Sequence, residues 1–211
     1  SEMYPLGPDT GFDVHRRRDT INALDICIES KLPYCLLLED DAVATYSFID
    51  NLVEFVIAPL EKNDIKPAFL TLYSYHSHPS SKNRIDANDY IESGQYESER
   101  SKMDRERRSL GLPLYNPNFA VVETAIDFGT VANLYPLDSV KKLRDYLESF
   151  GLDDEVEPVD KLISSGFLEL VGLPKMMTEP SMINHIGVYS ERQNKVDYVN
   201  TDVRFVVDPR F

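Results

Sequence analysis

The chain has 211 residues, of which 22 are Lys or Arg and 36 are Asp or Glu, so its formal net charge is −14. This acidic balance argues against a nucleic-acid-binding protein, because phosphate contacts need a basic surface. Apolar residues make up 42% of the chain and charged residues 27%, which excludes disorder of the whole chain and suits one domain. The uncharged stretches are short, and the one at residues 109–122 contains glycine, proline and asparagine, so no membrane span is predicted.

The first residues, Ser-Glu-Met-Tyr-Pro, have neither the basic start nor the apolar stretch of a signal peptide. We therefore expect any targeting or anchoring sequence of the natural protein to lie upstream. The two cysteines, Cys27 and Cys35, are too few for a disulfide scaffold or an all-cysteine zinc site. A single bridge and a pair of small buried side chains are both compatible with the sequence.

The first half of the chain alternates helices with short apolar runs. Residues 16–30 have apolar side chains at helical spacing, and residues 34–38 form an apolar run typical of a buried strand. Residues 46–57 predict the next helix, which we expect Pro59 to end, and residues 68–73 predict a second strand. Strand, helix and strand in this order predict a right-handed βαβ unit in an α/β fold.

A highly charged segment separates these elements from the second half of the chain. Ten of the seventeen side chains from Glu92 to Arg108 are charged, so we expect residues 80–110 to form a charged insertion or loop. Beyond it the sequence predicts, in order, strand 119–123, strand 127–135, helix 136–147, helix 161–165 and strand 167–173.

Three consecutive carboxylates, Glu39, Asp40 and Asp41, directly follow the apolar strand. Ligands of open α/β sheets bind at the carboxyl ends of the strands. Packing three acids together is costly because like charges raise each other's pKa, and a bound divalent cation relieves that cost. Carboxylate oxygens suit Mn²⁺ or Mg²⁺, and such a cation neutralises a diphosphate leaving group. The alternative is that Asp40 or Asp41 only caps a helix over residues 43–57.

His185 is a second candidate metal ligand, through its neutral imidazole. It lies in the segment Glu-Pro-Ser-Met-Ile-Asn-His-Ile-Gly, between an apolar stretch and a glycine. A lone histidine is more often structural, so His185 is a candidate metal ligand only in combination with the acids.

The acidic run from Asp153 to Asp160 is the third feature with chemical interest. It is either a solvated helix entrance or the source of a carboxylate that acts as general base. Asp160 is the best placed, because it stands at the start of an apolar helix. Glu157 and Asp154 are the alternatives.

Two motifs, taken in this order, resemble those of GT-A glycosyltransferases. The stretch Leu-Leu-Leu-Glu39-Asp40-Asp41-Ala resembles the Glu-Asp-Asp form of the DxD motif. The stretch Pro180-Ser-Met-Ile-Asn-His185-Ile-Gly-Val-Tyr-Ser190 resembles the closing motif of N-acetylglucosaminyltransferase IV and of the GPI-glycan GalNAc transferases of the post-GPI-attachment family. The similarity extends from about residue 15 to residue 192 and is closer to the GPI-modifying group.

The resemblance implies one GT-A-type catalytic domain over residues 1–211, with a Rossmann-type, mostly parallel central sheet flanked by helices. It implies Asp41, Asp40 and His185 as ligands of Mn²⁺ (or Mg²⁺), through which a UDP-sugar donor is held. Glu39 is implied to lie near the nucleotide ribose.

The resemblance also implies the reaction and its partners. A carboxylate from Asp154, Glu157 or Asp160 would deprotonate the acceptor hydroxyl, which attacks the sugar C1 in line and inverts its configuration. The implied transfer moves N-acetylgalactosamine from UDP-GalNAc to a mannose of the GPI-anchor glycan. The implied location is the Golgi or ER lumen, with the full-length protein anchored to the membrane. The alternatives are an N-glycan N-acetylglucosaminyltransferase of the type IV kind, a non-catalytic GT-A-like binding domain and an acidic α/β interaction domain.

The chain departs from the family pattern in two places. A full GT-A domain begins with a nucleotide-binding βαβ half, whereas 33 residues precede the acid strand here, so we expect a domain that is partial at its N-terminus. Vertebrate GPI-modifying enzymes have a transmembrane hairpin after the second strand, where this chain has the charged residues 80–110.

Overall fold

A computed structural model describes residues 10–44, 48–73, 84–86, 120–124, 129–151, 157–179, 181–185, 189–190 and 195–196. The helices are α1 (Thr10–Ser30), α2 (Phe48–Leu52), α3 (Ala58–Lys62), α4 (Leu137–Glu148), α5 (Val159–Lys161) and α6 (Leu168–Val171), with π-helical turns π1 (Val53–Ile57) and π2 (Leu162–Phe167). The strands are β1 (Tyr34–Leu38), β2 (Ala42–Ala44), β3 (Phe69–Thr71), β4 (Arg84–Asp86), β5 (Ala120–Glu123), β6 (Ala132–Pro136), β7 (Lys175–Glu179), β8 (Ile183–His185), β9 (Tyr189–Ser190) and β10 (Lys195–Val196).

Six of the ten described strands form a mixed sheet in the order β1-β6-β3-β7-β5-β4, and two further pairs, β2 with β8 and β9 with β10, form two-stranded sheets. Within the six-stranded sheet β3 and β7 are parallel, and the other four pairings are antiparallel. The α/β class predicted from the sequence is confirmed, whereas the pairings of the described strands are mostly antiparallel and not mostly parallel as predicted. The apolar run of β1 indicates that both faces of the strand are covered, but it contains no information on the direction of its neighbours.

β1, β3 and β7 nevertheless run in the same direction. β1 and β3 are each antiparallel to β6, which lies between them, and β7 is parallel to β3. Their carboxyl ends therefore lie at one edge of the sheet, which we call the acid end because residues 39–41 follow β1 there. We call the opposite edge the proline end, because Pro33, Pro67 and Pro174 stand just before these three strands.

Helices cover both faces of the sheet, and each face has its own hydrophobic core. Side chains alternate between the two cores along the strands, as the two-residue period of a strand requires. One core, packed against α2, π1 and α3, is built on Leu52, Phe55, Val56, Leu60, Leu70, Leu134 and Met176. The other, packed against α1, α4 and π2, is built on Leu24, Phe69, Tyr135, Leu143, Leu147 and Phe167.

The two cysteines form a disulfide that ties α1 to β1. Cys27 and Cys35 have their Cα atoms 5.7 Å apart, and the bridge lies beside the second core. Of the two arrangements compatible with the sequence, the structure has the bridge.

The helix predicted over residues 46–57 begins at Phe48 and continues past Pro59 to Lys62. Pro59 does not end it, because the proline falls in the first turn of α3, where the π pattern gives way to the α pattern. A residue without an N–H is tolerated in a first helical turn.

Residues 167–173 do not form the predicted strand. π2 and α6 extend to Val171, and Gly172 ends the helix in the left-handed conformation with a φ of 61°. Its N–H donates to the Leu168 carbonyl at 3.0 Å. The strand is β7 instead, all five residues of which are buried. An apolar segment of this length does not distinguish a helix from a strand. Gly172 is the residue of this segment that indicates the end of a helix.

The helix predicted over residues 136–147 is confirmed as α4. Of the predicted charged insertion, residues 80–110, only the backbone of β4 belongs to the described part of the chain. Within the described ranges, no helix combines the length and the apolar character that a membrane crossing needs.

Candidate functional site

The three consecutive acids form a tight turn at the acid end of the sheet. The Glu39 N–H donates to the Val131 carbonyl at 2.9 Å, and the Ala42 N–H donates to the Glu39 carbonyl at 3.2 Å. The second bond closes a four-residue turn between β1 and β2. We call residues 39–42 the acid turn. Because a strand follows the turn and α2 begins only at Phe48, the acids do not cap that helix.

Glu39 is held by two side chains that the sequence analysis did not single out. The Arg16 guanidinium donates from Nη2 to Glu39 Oε1 as an ion pair, and also to Thr130 Oγ1 at 2.7 Å. The Thr130 hydroxyl donates in turn to Glu39 Oε1 at 2.7 Å. Arg16 lies in α1 and Thr130 lies two residues before β6, so no local pattern connects them to the acids. The only signal in the sequence was that three adjacent carboxylates need a nearby positive charge.

Asp40 and Asp41 have different environments within the acid turn. Asp40 is exposed, and none of the hydrogen bonds or ion pairs found between described residues involves its side chain. Asp41 is half-buried, and its Oδ1 atom is shielded from solvent. The turn therefore presents one exposed and one partly buried carboxylate side by side.

The backbone of His185 lies directly beside the acid turn. β8 is antiparallel to β2, and in their register Ala42 pairs with His185 and Val43 with Asn184. Paired Cα atoms of antiparallel strands are about 4.5–5.5 Å apart. The side chain of His185 lies outside the described part of the chain. The strand pairing thus joins the two motifs that the sequence analysis selected from distant parts of the chain.

One backbone carbonyl oxygen accepts hydrogen bonds from β7, from β8 and from the residue before β8. The Leu72 carbonyl, just after β3, accepts from Met182 N–H at 2.9 Å and from Ile183 N–H at 3.1 Å. The Thr178 hydroxyl donates to the same oxygen at 3.4 Å. The chain therefore crosses the carboxyl end of β3 on its way to the acid turn.

Two acidic residues of the run, Glu157 and Asp160, belong to the described part of the chain. Asp160 lies in α5, which packs against α1. Its Oδ1 atom is buried and has no hydrogen-bond partner among the described residues. Glu157 is exposed and lies two residues before this helix, whereas Asp154 lies outside the described residues. No described contact joins Asp160 to the acid turn.

The side chains of the described residues contain no group of three or more His, Cys, Asp or Glu that could hold a metal ion. Asp40 and Asp41 are two of the three predicted ligands, and the third, His185, is described by its backbone alone. Carboxylate oxygens are donors that suit Mn²⁺ and Mg²⁺, so the residues at the turn fit such a cation.

Comparison with models of protein families and with curated proteins finds no match for this chain. The function is therefore argued from the motifs and from the way the fold brings them together.

Proposed function

We propose that this chain belongs to a metal-dependent, inverting glycosyltransferase with a GT-A-like domain, which moves N-acetylgalactosamine from UDP-GalNAc to a mannose of the GPI-anchor glycan. The observation that carries the proposal is the register of β2 with β8, in which Ala42 pairs with His185. Residues 39–41 and His185 are distant in sequence, yet their backbones are neighbours. Such a juxtaposition is expected if carboxylate and imidazole groups serve one cation.

The acid turn supports a role in donor binding. Asp40 and Asp41 would hold Mn²⁺ or Mg²⁺, with His185 as a further ligand. The bound cation supplies the positive charge that neutralises the UDP leaving group. Consecutive residues of a tight turn place their carboxylates close together, and the position at the carboxyl end of β1 is where ligands of α/β sheets bind.

Asp160 is our preferred general base, with Glu157 and Asp154 as alternatives. Its buried Oδ1 atom has no donor among the described residues. Asp160 as a whole is half-buried at the start of α5, and a carboxylate acts as general base when it lies within hydrogen-bond reach of the reacting hydroxyl. The base would take the proton of that hydroxyl as the hydroxyl attacks the sugar C1.

The disulfide between Cys27 and Cys35 supports a location in the Golgi or ER lumen, because disulfides persist in oxidising compartments. The identity of the donor sugar, the GPI-linked acceptor and the membrane anchoring of the full-length protein rest on the sequence resemblance. Turnover of UDP-GalNAc and UDP-GlcNAc should be compared. Turnover of UDP-GlcNAc alone would replace the proposed reaction by the type IV alternative.

Calorimetric titration of UDP, with Mn²⁺ and with a chelator, tests the proposed site. The wild-type protein should bind UDP more tightly with Mn²⁺, and Asp41→Asn should lose this metal-dependent part. The substitution removes a charged oxygen ligand but keeps the size of the side chain. We expect a loss of about 100-fold in affinity, or about 2.7 kcal/mol.

Asp64→Asn is the matched control for this titration. Asp64 precedes β3 at the proline end, is 86% exposed and pairs with Lys66 at 3.5 Å. The same change of charge there should leave UDP binding unaltered. The proposal is wrong if wild-type protein shows no Mn²⁺-dependent binding, or if Asp41→Asn binds as well as wild type. Binding without turnover would favour the non-catalytic alternative.

A further inference from the structure

The side chains of Arg16, Glu39 and Thr130 form a hydrogen-bonded cluster at the first residue of the acid turn. We propose that this cluster positions the acid turn for the cation, and that Glu39 acts through it as a positioning residue and not as a contact to the donor. The inference rests on the function proposed above, because it concerns how Asp40 and Asp41 are oriented toward the metal.

Each side chain of the cluster is bonded to the other two. Arg16 Nη2 contacts both Glu39 Oε1 and Thr130 Oγ1, and the Thr130 hydroxyl directs its proton to the same carboxylate oxygen. Two donors on one oxygen fix the orientation of the Glu39 carboxyl group. Side chains that hold a metal-binding segment in this way affect metal affinity without touching the metal.

The cluster joins the acid turn to two other segments of the chain. Arg16 comes from α1, Thr130 from the segment before β6, and Glu39 is itself the first residue of the turn. The backbone bond from Glu39 N–H to the Val131 carbonyl at 2.9 Å runs beside it. Because the turn is only four residues long, a shift of Glu39 displaces Asp40 and Asp41 as well.

Charge alone predicts the opposite effect for Arg16. A positive charge beside a cation site repels the cation, so removing it should tighten metal binding if Arg16 were only a neighbouring charge. Removing a residue that holds the turn in shape should weaken metal binding. The sign of the change for Arg16→Gln therefore separates the two roles.

The test is a titration with Mn²⁺ alone, in which electron paramagnetic resonance measures the concentration of the free ion. Thr130→Val removes the hydroxyl and changes no charge, and we expect about tenfold weaker Mn²⁺ binding. Thr130→Ser keeps the hydroxyl and should bind within about twofold of wild type, because the two hydrogen bonds can still form. Arg16→Gln should also weaken binding. Thermal unfolding of each variant shows whether it is folded under the conditions of the titration.

A double variant tests Glu39, and Arg16→Gln serves if Thr130→Val alone proves poorly folded. If Glu39 acts only through the cluster, Glu39→Met with Thr130→Val should bind Mn²⁺ no more weakly than Glu39→Met with Thr130→Ser, because methionine removes the oxygen that accepts from Thr130. Additional loss in the valine double variant would overturn the proposal, as would tighter binding by Arg16→Gln or unchanged binding by Thr130→Val. In these cases wild-type protein still binds Mn²⁺ and the proposed function stands. Absence of Mn²⁺ binding by wild-type protein would overturn both.

Discussion

The two ends of the central sheet are built from different kinds of residue. At the proline end, the Pro33 carbonyl accepts from Leu137 N–H at 2.9 Å and the Pro174 carbonyl accepts from Ala68 N–H at 2.8 Å. At the acid end, the strands run into charged and polar side chains, including the acid turn. We expect the backbone hydrogen bonds at the proline end to stabilise the fold, and we expect the acid turn to bind the proposed metal ion.

From this contrast we expect that stability and the proposed metal binding can be changed separately. Charged groups packed together are unfavourable for folding unless something neutralises them. Apolar packing and backbone bonds carry no such cost. We therefore expect substitutions at the proline end to change the free energy of unfolding, and substitutions at the acid end to change affinity for Mn²⁺.

Phe69→Ala should have the largest effect on stability. Phe69 begins β3, is 1% exposed, and has its ring 5.4 Å from that of Tyr135 and 5.3 Å from Lys175 Nζ. Loss of a buried aromatic side chain leaves a cavity and should lower the free energy of unfolding by about 3–5 kcal/mol. Urea denaturation measures this loss, and Phe69→Leu should lose less. A loss below about 1 kcal/mol would contradict the separation of the two ends.

Replacing both cysteines should have the next largest effect. The bridge between Cys27 and Cys35 closes a short loop, so Cys27→Ala with Cys35→Ala should lose about 2–3 kcal/mol of stability. Urea denaturation with and without a reductant provides the control. The reductant should lower the stability of wild-type protein by a similar amount and leave the double variant unchanged. Equal sensitivity of the two proteins would show that the bridge does not stabilise the fold.

Gly172→Ala should destabilise the end of α6, before β7. Gly172 has a φ of 61°, and an added Cβ would meet no atom within 4 Å, so the cost is backbone strain without a clash. We expect a loss of about 1 kcal/mol in urea denaturation. Gly172→Asn should lose less, because asparagine tolerates the left-handed conformation. An alanine variant as stable as wild type would mean that the helix end can rearrange.

Tyr34 should make stability depend on alkaline pH. The Tyr34 hydroxyl donates a hydrogen bond to Glu61 Oε1 at 3.2 Å. Burial, followed by the negative charge and the hydrogen bond of Glu61, raises the pKa of Tyr34 to about 12. An unfolded tyrosine loses its proton near pH 10, so this contribution is present below about pH 10 and is lost as the pH approaches 12. Urea denaturation at pH 9 and pH 11 should show a larger fall for wild-type protein than for Tyr34→Phe. Equal falls would contradict this.

Asp41→Asn should have the smallest effect on stability, although it should have a large one on UDP binding. Without metal, removing one of three adjacent acids should leave the melting temperature unchanged or raise it. Mn²⁺ should then raise the melting temperature of wild-type protein but not of the variant, since only a protein that binds the ion is stabilised by it. A loss of roughly 1 kcal/mol without metal would instead indicate a local structural role for Asp41.

Local patterns were sufficient to predict some elements. The apolar run after Pro33 predicted β1, and the helical spacing after Pro136 predicted α4. The run at residues 167–173 was wrongly predicted as a strand, because a short apolar segment has no distinctive period. The candidate residues of the site were likewise selected by residue type and position in a motif, without knowledge of their neighbours.

The amino-acid sequence by itself determined that the chain is an acidic α/β protein with three adjacent carboxylates after a buried strand. Propensity, periodicity and charge act over a few residues, so the sequence displays them directly. Only the tertiary structure decided that the sheet is mostly antiparallel, that β8 pairs with β2, and that Arg16 and Thr130 hold Glu39. Those arrangements depend on contacts between distant segments, which are selected by the packing of the whole domain.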